Sequence, residues 1–405
     1  MHDHTLVSLV CIFAIAAATP IIVDLPRRVR VPAVVLEIVL GIAVGPHGLG
    51  WAHTDEVVRV LAEFGLAFLI FLAGYEIDPP AMRGTPIRRA TQAWLMTFAL
   101  GIAGGLLAAR TGFALSALVL GLALTTTALG TLLPIARDAG LLDAPFGVHL
   151  LAGGALGEFG PIVAIALVLS TGESWRSVVA LVSFVAVAGA VLVLSQRPTP
   201  PRLQRLMSVS LHTSGQLVVR LCILVLVALV WLASALGLDV LLGAFAAGMV
   251  ARYLVRAAHG HDDVHVVESK LEGIGFGFVI PLFFVVTGMK YDLHALTSSP
   301  SAMLRVPLFL ALFLVVRGAP ILLTYRTTLD ARSTRALAIM TSAALPLVVV
   351  ITDIGLATNR MRPGNAAALV GAAMLSVLIF PIVGLRMVPT ATPEAVRPPS
   401  REAGS

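Results

Sequence analysis

Long apolar stretches follow one another along almost the whole chain, and short polar loops separate them. Most stretches run for about 18 residues or more, the length at which an apolar helix crosses the hydrocarbon core of a bilayer. Helices suit that environment because they satisfy their backbone hydrogen bonds internally. The pattern predicts an all-α membrane protein with thirteen spans, at about 5–24, 31–46, 57–74, 90–109, 113–136, 146–170, 175–195, 214–236, 238–255, 271–289, 302–325, 333–356 and 364–388.

Two of the predicted spans are interrupted by polar residues and proline near their middles. The fifth contains Thr125, Thr126 and Thr127, and the twelfth contains Thr341 with Pro346 close behind it. Such interruptions indicate broken helices, whose free carbonyl groups and hydroxyl oxygens can bind a cation. One broken helix in each half of a chain is typical of transporters built from inverted repeats. The alternative for the threonines is that their hydroxyls bond back to their own helix.

The composition agrees with a membrane location. The chain is 58% hydrophobic and 12% charged, whereas soluble domains carry about 25% charged residues. Most of its basic residues fall in the loops after odd-numbered spans and in the tail, and this bias predicts an N-terminus outside and a C-terminus in the cytoplasm. The net charge of +6 therefore reflects orientation in a lipid bilayer, and we expect no nucleic-acid partner.

Two charged residues stand deep inside predicted spans. Glu158 lies near the middle of the sixth span among glycines that include Gly157, and Arg317 lies deep in the eleventh. An ionisable group at that depth indicates a functional site, because it requires a partner or a water-filled cavity. An arginine stays protonated, so it also requires a countercharge or a water path. The alternative for Glu158 is a carboxylate that holds two helices together, and Arg317 could extend toward the interface.

The remaining candidates are weaker. Glu37 and Glu63 are interpreted as helix-packing or lining groups. Asp353 lies toward the outer end of the twelfth span, where it could line an entrance funnel or sit at the interface. The segment His259–His265 contains three histidines that could bind a metal or sense pH. A solvated polar turn is the preferred interpretation of that segment.

The sequence lacks the motifs of energy-coupled or catalytic membrane proteins. It contains no phosphate-binding Walker loop, no dinucleotide fingerprint and no nucleophile elbow. We therefore expect neither an ATP-driven pump nor an enzyme, and no cofactor. We also expect no bound metal apart from a transported monovalent cation.

Three segments resemble the second branch of the monovalent cation/proton antiporter family, which includes sodium/proton exchangers and glutathione-gated potassium efflux proteins. The segments are 32–50, 61–78 and 281–289, and the resemblance runs from the second span to the thirteenth. It implies a Kef-type membrane domain without the cytoplasmic nucleotide-binding domain. The family would locate the chain in a bacterial inner membrane, as a homodimer that exchanges sodium or potassium for protons in pH homeostasis.

The resemblance also implies a division of the chain. A transmembrane antiporter domain would occupy residues 1–388, and 389–405 would form a disordered cytoplasmic tail. The domain would contain a core at about 90–170 and 302–388, and a dimerisation panel at about 5–74 and 175–289. The two broken helices would cross within the core.

The family carries an ion-binding carboxylate in span six, a basic residue in span eleven and a Ser/Thr-rich run in its first crossing helix. These positions match Glu158, Arg317 and Thr125–Thr127. The family usually has Asp at the carboxylate position, preceded by Asp, Asn or Gln, whereas this chain has Gly157 before Glu158. The Gly-Glu pair of potassium-type members is also absent near Pro346, so the cation is left open.

These observations lead to a hypothesis of alternating access. Glu158 would bind either a cation or a proton. The core would move across the membrane only when the charge of the Glu158 carboxylate is neutralised. Because Gly157 carries no proton, Glu158 would be the sole carrier and exchange would be electroneutral. Arg317 would pair with Glu158, another carboxylate or helix-end carbonyls. A sodium-coupled solute symporter of related fold and a transport-inactive sensor or scaffold are the alternatives, and the 6% aromatic content disfavours the symporter.

Overall fold

The computed structural model is a bundle of α-helices. It describes residues 3–24, 32–77, 82, 84–142, 145–168, 174–195, 210, 213, 215–258, 261–297 and 300–388. The helices within these ranges are α1 (Asp3–Asp24), α2 (Ala33–Val44), α3 (Glu56–Glu76), α4 (Thr85–Arg110), α5 (Ala117–Leu124), α6 (Leu129–Asp138), α7 (Pro145–Val168), α8 (Ser174–Ser195), α9 (Leu217–Ala235), α10 (Val240–Ala258), α11 (His261–Ile274), α12 (Ile280–Lys290), α13 (Leu293–Thr297), α14 (Pro300–Phe313), α15 (Ala319–Tyr325), α16 (Ala331–Met340), α17 (Pro346–Ala357) and α18 (Pro363–Leu385). These same ranges contain no strand, which confirms the all-α class.

Eight helical segments among the described residues are long and apolar enough to cross a membrane, and four shorter apolar helices accompany them. Some of the long segments are built from two helices joined by a π-helical turn. Gly275–Val279 joins α11 to α12, and Leu314–Gly318 joins α14 to α15. The number of thirteen crossings stays a prediction.

The two predicted helix breaks are confirmed. Residues 125–128 separate α5 from α6, and residues 341–345 separate α16 from α17. The second break ends at Pro346, the first residue of α17, where a missing N–H costs no helical hydrogen bond. The first break follows from three consecutive threonines, because their hydroxyls offer the backbone other hydrogen-bond partners.

The helices pack in two groups. In one group α2 and α3 pack on α12, and α3 packs on α10. In the other α4 packs on α5 and α7, and α18 packs on α14, α16 and α17. The groups meet where α6 contacts α3 and where α7 contacts α10; there the rings of Phe159 and Phe245 stack 4.8 Å apart.

The polar turn predicted at His259–His265 is wrong from His261 onward, because α11 begins there and continues through the π-helical turn into α12. Its sequence alternates acidic and apolar residues at helical spacing, which allows one face to pack and the other to stay polar. His259 and the tail at 389–405 lie outside the described residues.

Candidate functional site

Glu158 lies on α7 with none of its surface exposed to solvent. Neither carboxylate oxygen makes a hydrogen bond of good geometry. The backbone N–H groups of Leu129 and Gly130, which begin α6, face the carboxylate. A helix N-terminus carries a partial positive charge, so α6 presents a weakly positive end to this buried acid.

Arg317 is equally buried, with 1% of its surface exposed, and it lies in the π-helical turn between α14 and α15. Its Nε donates to the carbonyl of Thr341 and its Nη2 to the carbonyl of Gly153, both at 3.3 Å. Thr341 follows the last residue of α16, where a helix carries a partial negative charge. No carboxylate oxygen of a described residue lies within 4.0 Å of the guanidinium. The guanidinium therefore contacts one helix-end carbonyl, that of Thr341, and one carbonyl inside α7, that of Gly153.

The two breaks cross beside these charges. The Thr127 hydroxyl donates to the Thr341 carbonyl at 2.7 Å, so this carbonyl accepts from both Thr127 and Arg317. The backbone N–H of Ala128 donates to the carbonyl of Ala343 at 2.8 Å. The break in the first half of the chain is thus hydrogen-bonded directly to the break in the second half.

The three threonines of the first break play different roles. Thr125 and Thr126 donate their hydroxyls to the carbonyls of Leu122 and Ala123, at 2.8 and 3.0 Å, and so complete the C-terminus of α5. This is the back-bonding alternative. Thr127 instead donates across the crossing, and its backbone N–H donates to the carbonyl of Gly157 at 2.9 Å. All three are buried.

Gly157 is the point on α7 where the crossing approaches most closely. A Cβ atom built on it would lie 2.5 Å from Arg317 Nη2 and 2.7 Å from Thr127 Cβ. No side chain fits there unless one of these neighbours moves. The absence of an acidic or amide residue before Glu158 thus has a structural reason, because Arg317 occupies that space.

The other predicted lining residues do not share one location. Glu63 and Asp353 both line a cavity of about 420 Å³ between α3, α12, α17 and α18, together with Lys290 and Asp292. Glu37 is buried on α2 and does not line this cavity. Pro346 is buried at the start of α17, beside the crossing.

Ser376 is a residue of the crossing that the sequence reasoning missed. Its hydroxyl accepts from the N–H of Ala344 at 3.0 Å and lies 3.1 Å from the carbonyl of the same residue. The hydroxyl thereby links α18 to the backbone of the second break. The signal was weak, since a single serine in an apolar helix carries no charge and often bonds only to its own helix.

Comparison with known proteins gives a family match and several relatives. The family described as "Sodium/hydrogen exchanger, transmembrane" matches residues 13–388. YjbQ of Bacillus subtilis (strain 168) is 26% identical over 94% of this chain, which spans 63% of the length of YjbQ. The Na(+)/H(+)-K(+) antiporter GerN of Bacillus cereus is 24% identical over 91% of this chain and 92% of its own.

A solved structure shares the fold. The sodium proton antiporter MjNhaP1 from Methanocaldococcus jannaschii superposes with a TM-score of 0.66 and 16% identity. The superposition covers 94% of this chain and 96% of that one. At that identity the likeness extends to the fold alone.

Proposed function

Because the chain belongs to the sodium/hydrogen exchanger family, we propose that it exchanges a monovalent cation, sodium or potassium, for protons by alternating access. The name of the relative GerN describes an Na(+)/H(+)-K(+) antiporter, and the name of YjbQ describes a putative Na(+)/H(+) antiporter. Glu158 is the group that binds the cation or the proton. Thr125, Thr126 and Thr127 supply further oxygen atoms, because a hydroxyl that donates to a carbonyl keeps its lone pairs for a cation. Arg317 compensates charge at the crossing.

The observation that carries this proposal is the state of the Glu158 carboxylate. It is fully buried, no opposite charge of a described residue pairs with it, and the N–H groups of Leu129 and Gly130 that face it form no hydrogen bond of good geometry. A buried ionised carboxylate without a partner is very costly, so a proton or a cation must neutralise it. The same cost prevents the empty, ionised site from crossing the membrane, and this couples the two fluxes.

The stoichiometry follows from the groups around Glu158. Arg317 keeps its proton at working pH, and Gly157 carries none. Glu158 is then the only proton carrier, one proton is exchanged for one cation, and the exchange is electroneutral.

The same proposal covers the assembly in the membrane. A core at about 90–170 and 302–388 moves against a panel at about 5–74 and 175–289, and the helix packing in two groups supports this division. The panel forms a homodimer. The N-terminus is outside and the C-terminus is cytoplasmic, as the distribution of basic residues indicates.

The test uses purified protein in lipid vesicles that carry an internal pH dye. Addition of sodium or potassium should move protons across the membrane, and Glu158→Gln should abolish the signal. Glu56→Gln is the matched control, because Glu56 has an 85% exposed side chain at the start of α3 and should keep wild-type exchange. Retained exchange in Glu158→Gln would contradict the site. A membrane potential that develops during exchange would contradict the stoichiometry.

A further inference from the structure

One arginine at the end of α6 binds three glutamates of two other helices. Arg137 Nη2 lies 2.7 Å from Glu76 Oε1 and 2.9 Å from Glu268 Oε1, and Nη1 is hydrogen-bonded to Glu272 Oε1. Glu76 is the last residue of α3, and the other two glutamates lie on α11. We call these four residues the latch. It joins the proposed core to the proposed panel.

The three glutamates are held together by that arginine. Their carboxylate oxygens lie within 4.8 Å of one another, so they repel when Arg137 is withdrawn. Their side chains are only 12%, 17% and 28% exposed, so salt screens these pairs less than it screens surface pairs.

Two further polar side chains are near the latch. Arg252 of α10 donates to the carbonyl of Tyr75 and lies over the ring of that residue. His265 Nδ1 lies 3.5 Å from Glu268 Oε2. Arg252 and His265, like the three glutamates, belong to the proposed panel. Of the four latch residues, Arg137 alone belongs to the proposed core.

The latch lies at the C-terminal end of α3, and the cavity lies beside the N-terminal half of that helix. Glu63 lines the cavity and Glu76 belongs to the latch, and thirteen residues of helix separate them by about 20 Å. The cavity lies between α3 and α12 on one side and α17 and α18 on the other. The two groups of helices are therefore separated by a cavity beside the N-terminal half of α3 and joined by charge at its C-terminal end.

Helix α6 connects the latch to the proposed ion site. Its first residues, Leu129 and Gly130, turn their N–H groups toward Glu158, and Arg137 lies about 12 Å further along the same helix. A displacement of Arg137 relative to the glutamates therefore displaces the helix end that faces the carboxylate.

We propose that Arg137 is a positioning residue for exchange, which holds α6 against the panel and closes the cytoplasmic side until the latch separates in each transport cycle. This inference rests on the proposed function, because it requires that core and panel move relative to each other. The latch would close one side of the protein while the cavity gives access from the other.

The test links the latch covalently and reversibly. Cys11 and Cys222 are replaced by alanine, and Arg137→Cys is combined with Glu272→Cys in one protein. A short bis-methanethiosulfonate reagent then joins the two thiols, and a reductant releases them. The matched control combines Glu76→Cys with Glu272→Cys, which joins two positions on the same side of the contact.

We expect the linked Arg137–Glu272 pair to lose at least about tenfold in exchange rate, and reductant to restore it. We expect the linked control pair to keep the rate of its reduced form. Equal rates before and after linking of the Arg137–Glu272 pair would overturn the latch. Failure of the wild-type protein to exchange any monovalent cation would instead contradict the proposed function.

A second measurement does not depend on the linked protein. Arg137→Gln should raise the KM for cation supplied on the cavity side by about threefold or more, because a smaller fraction of the protein would be closed on the opposite side. Arg137→Lys keeps the charge and should restore a KM near the wild-type value. An unchanged KM in Arg137→Gln would overturn the inference even if the cysteine pairs failed to fold.

Discussion

Arg317 Nη2 lies where a side chain at Gly157 would be, 2.5 Å from the position of a Cβ atom on that glycine. The guanidinium therefore reaches the carbonyl of Gly153 by passing over a residue without a side chain. This arrangement explains why the residue before Glu158 is neither acidic nor amide. It also makes Gly157 a position of α7 at which a side chain is excluded unless Arg317 or Thr127 moves.

Gly157→Ala should destabilise the protein and lower exchange. Its Cβ would force Arg317 or Thr127 to move, and overpacking of this kind costs about 1–3 kcal/mol. Gly104→Ala is the matched control, since a Cβ on that helical glycine meets nothing within 4 Å. Thermal unfolding in detergent should show a lower Tm for Gly157→Ala only. Equal Tm values for the two variants would mean that Arg317 does not depend on this space.

Arg317→Ala should lose stability together with transport. The carbonyls of Gly153 and Thr341 would both lose the guanidinium as a donor, and hydrogen bonds to a charged group contribute about 1.5–3 kcal/mol each. The Gly153 carbonyl would keep its place in the α7 hydrogen-bond ladder and the Thr341 carbonyl would keep the Thr127 hydroxyl, so neither would be left without a donor. Arg110→Ala, at the exposed end of α4, should change stability by less than about 0.5 kcal/mol. A stable Arg317→Ala protein that still exchanges cations would contradict the charge-compensating role.

The sequence predicted the main helices and both broken helices because those features depend on local composition. Runs of apolar residues predict helices, and Thr125–Thr127 and Pro346 predict the breaks. Contacts between distant residues could not be predicted in the same way. The predicted fifth span ends at 136 and so leaves Arg137 in a loop, although this residue lies on α6 and binds three glutamates from two other helices.

The partner of Arg317 was likewise undetermined by the sequence. A buried arginine requires acceptors, but carboxylates and helix-end carbonyls both satisfy that requirement. Only the crossing of the two breaks brings the carbonyl of Thr341 to the guanidinium. The π-helical turn that contains Arg317 could not be predicted either, because it does not interrupt the run of apolar residues.

Ser376→Ala should destabilise the second break. The variant would leave the buried N–H of Ala344 without its acceptor, at a cost of about 1–3 kcal/mol. Thr91→Ala is the control, because that hydroxyl is exposed and only bonds back to Ile87 on α4. Denaturant unfolding in micelles compares the two. If Ser376→Ala were as stable as Thr91→Ala, the serine would not hold the crossing.

Asp330 should make the stability of α16 dependent on pH. It precedes the first residue of α16 and accepts hydrogen bonds from the N–H groups of Arg332 and Ser333, at 2.9 and 3.1 Å. Hydrogen bonds from the side chain and the backbone of Ser333 hold the pKa of Asp330 below its usual value. The stabilisation by the carboxylate is thus present above the unfolded pKa of about 3.9 and is lost as the pH falls through the lower folded value. Asp330→Asn keeps an acceptor at this position but does not titrate. The Tm difference between wild type and Asp330→Asn should be constant down to about pH 5 and should shrink toward pH ~3. A difference that stayed constant over this whole range would show that the carboxylate charge does not stabilise this helix end.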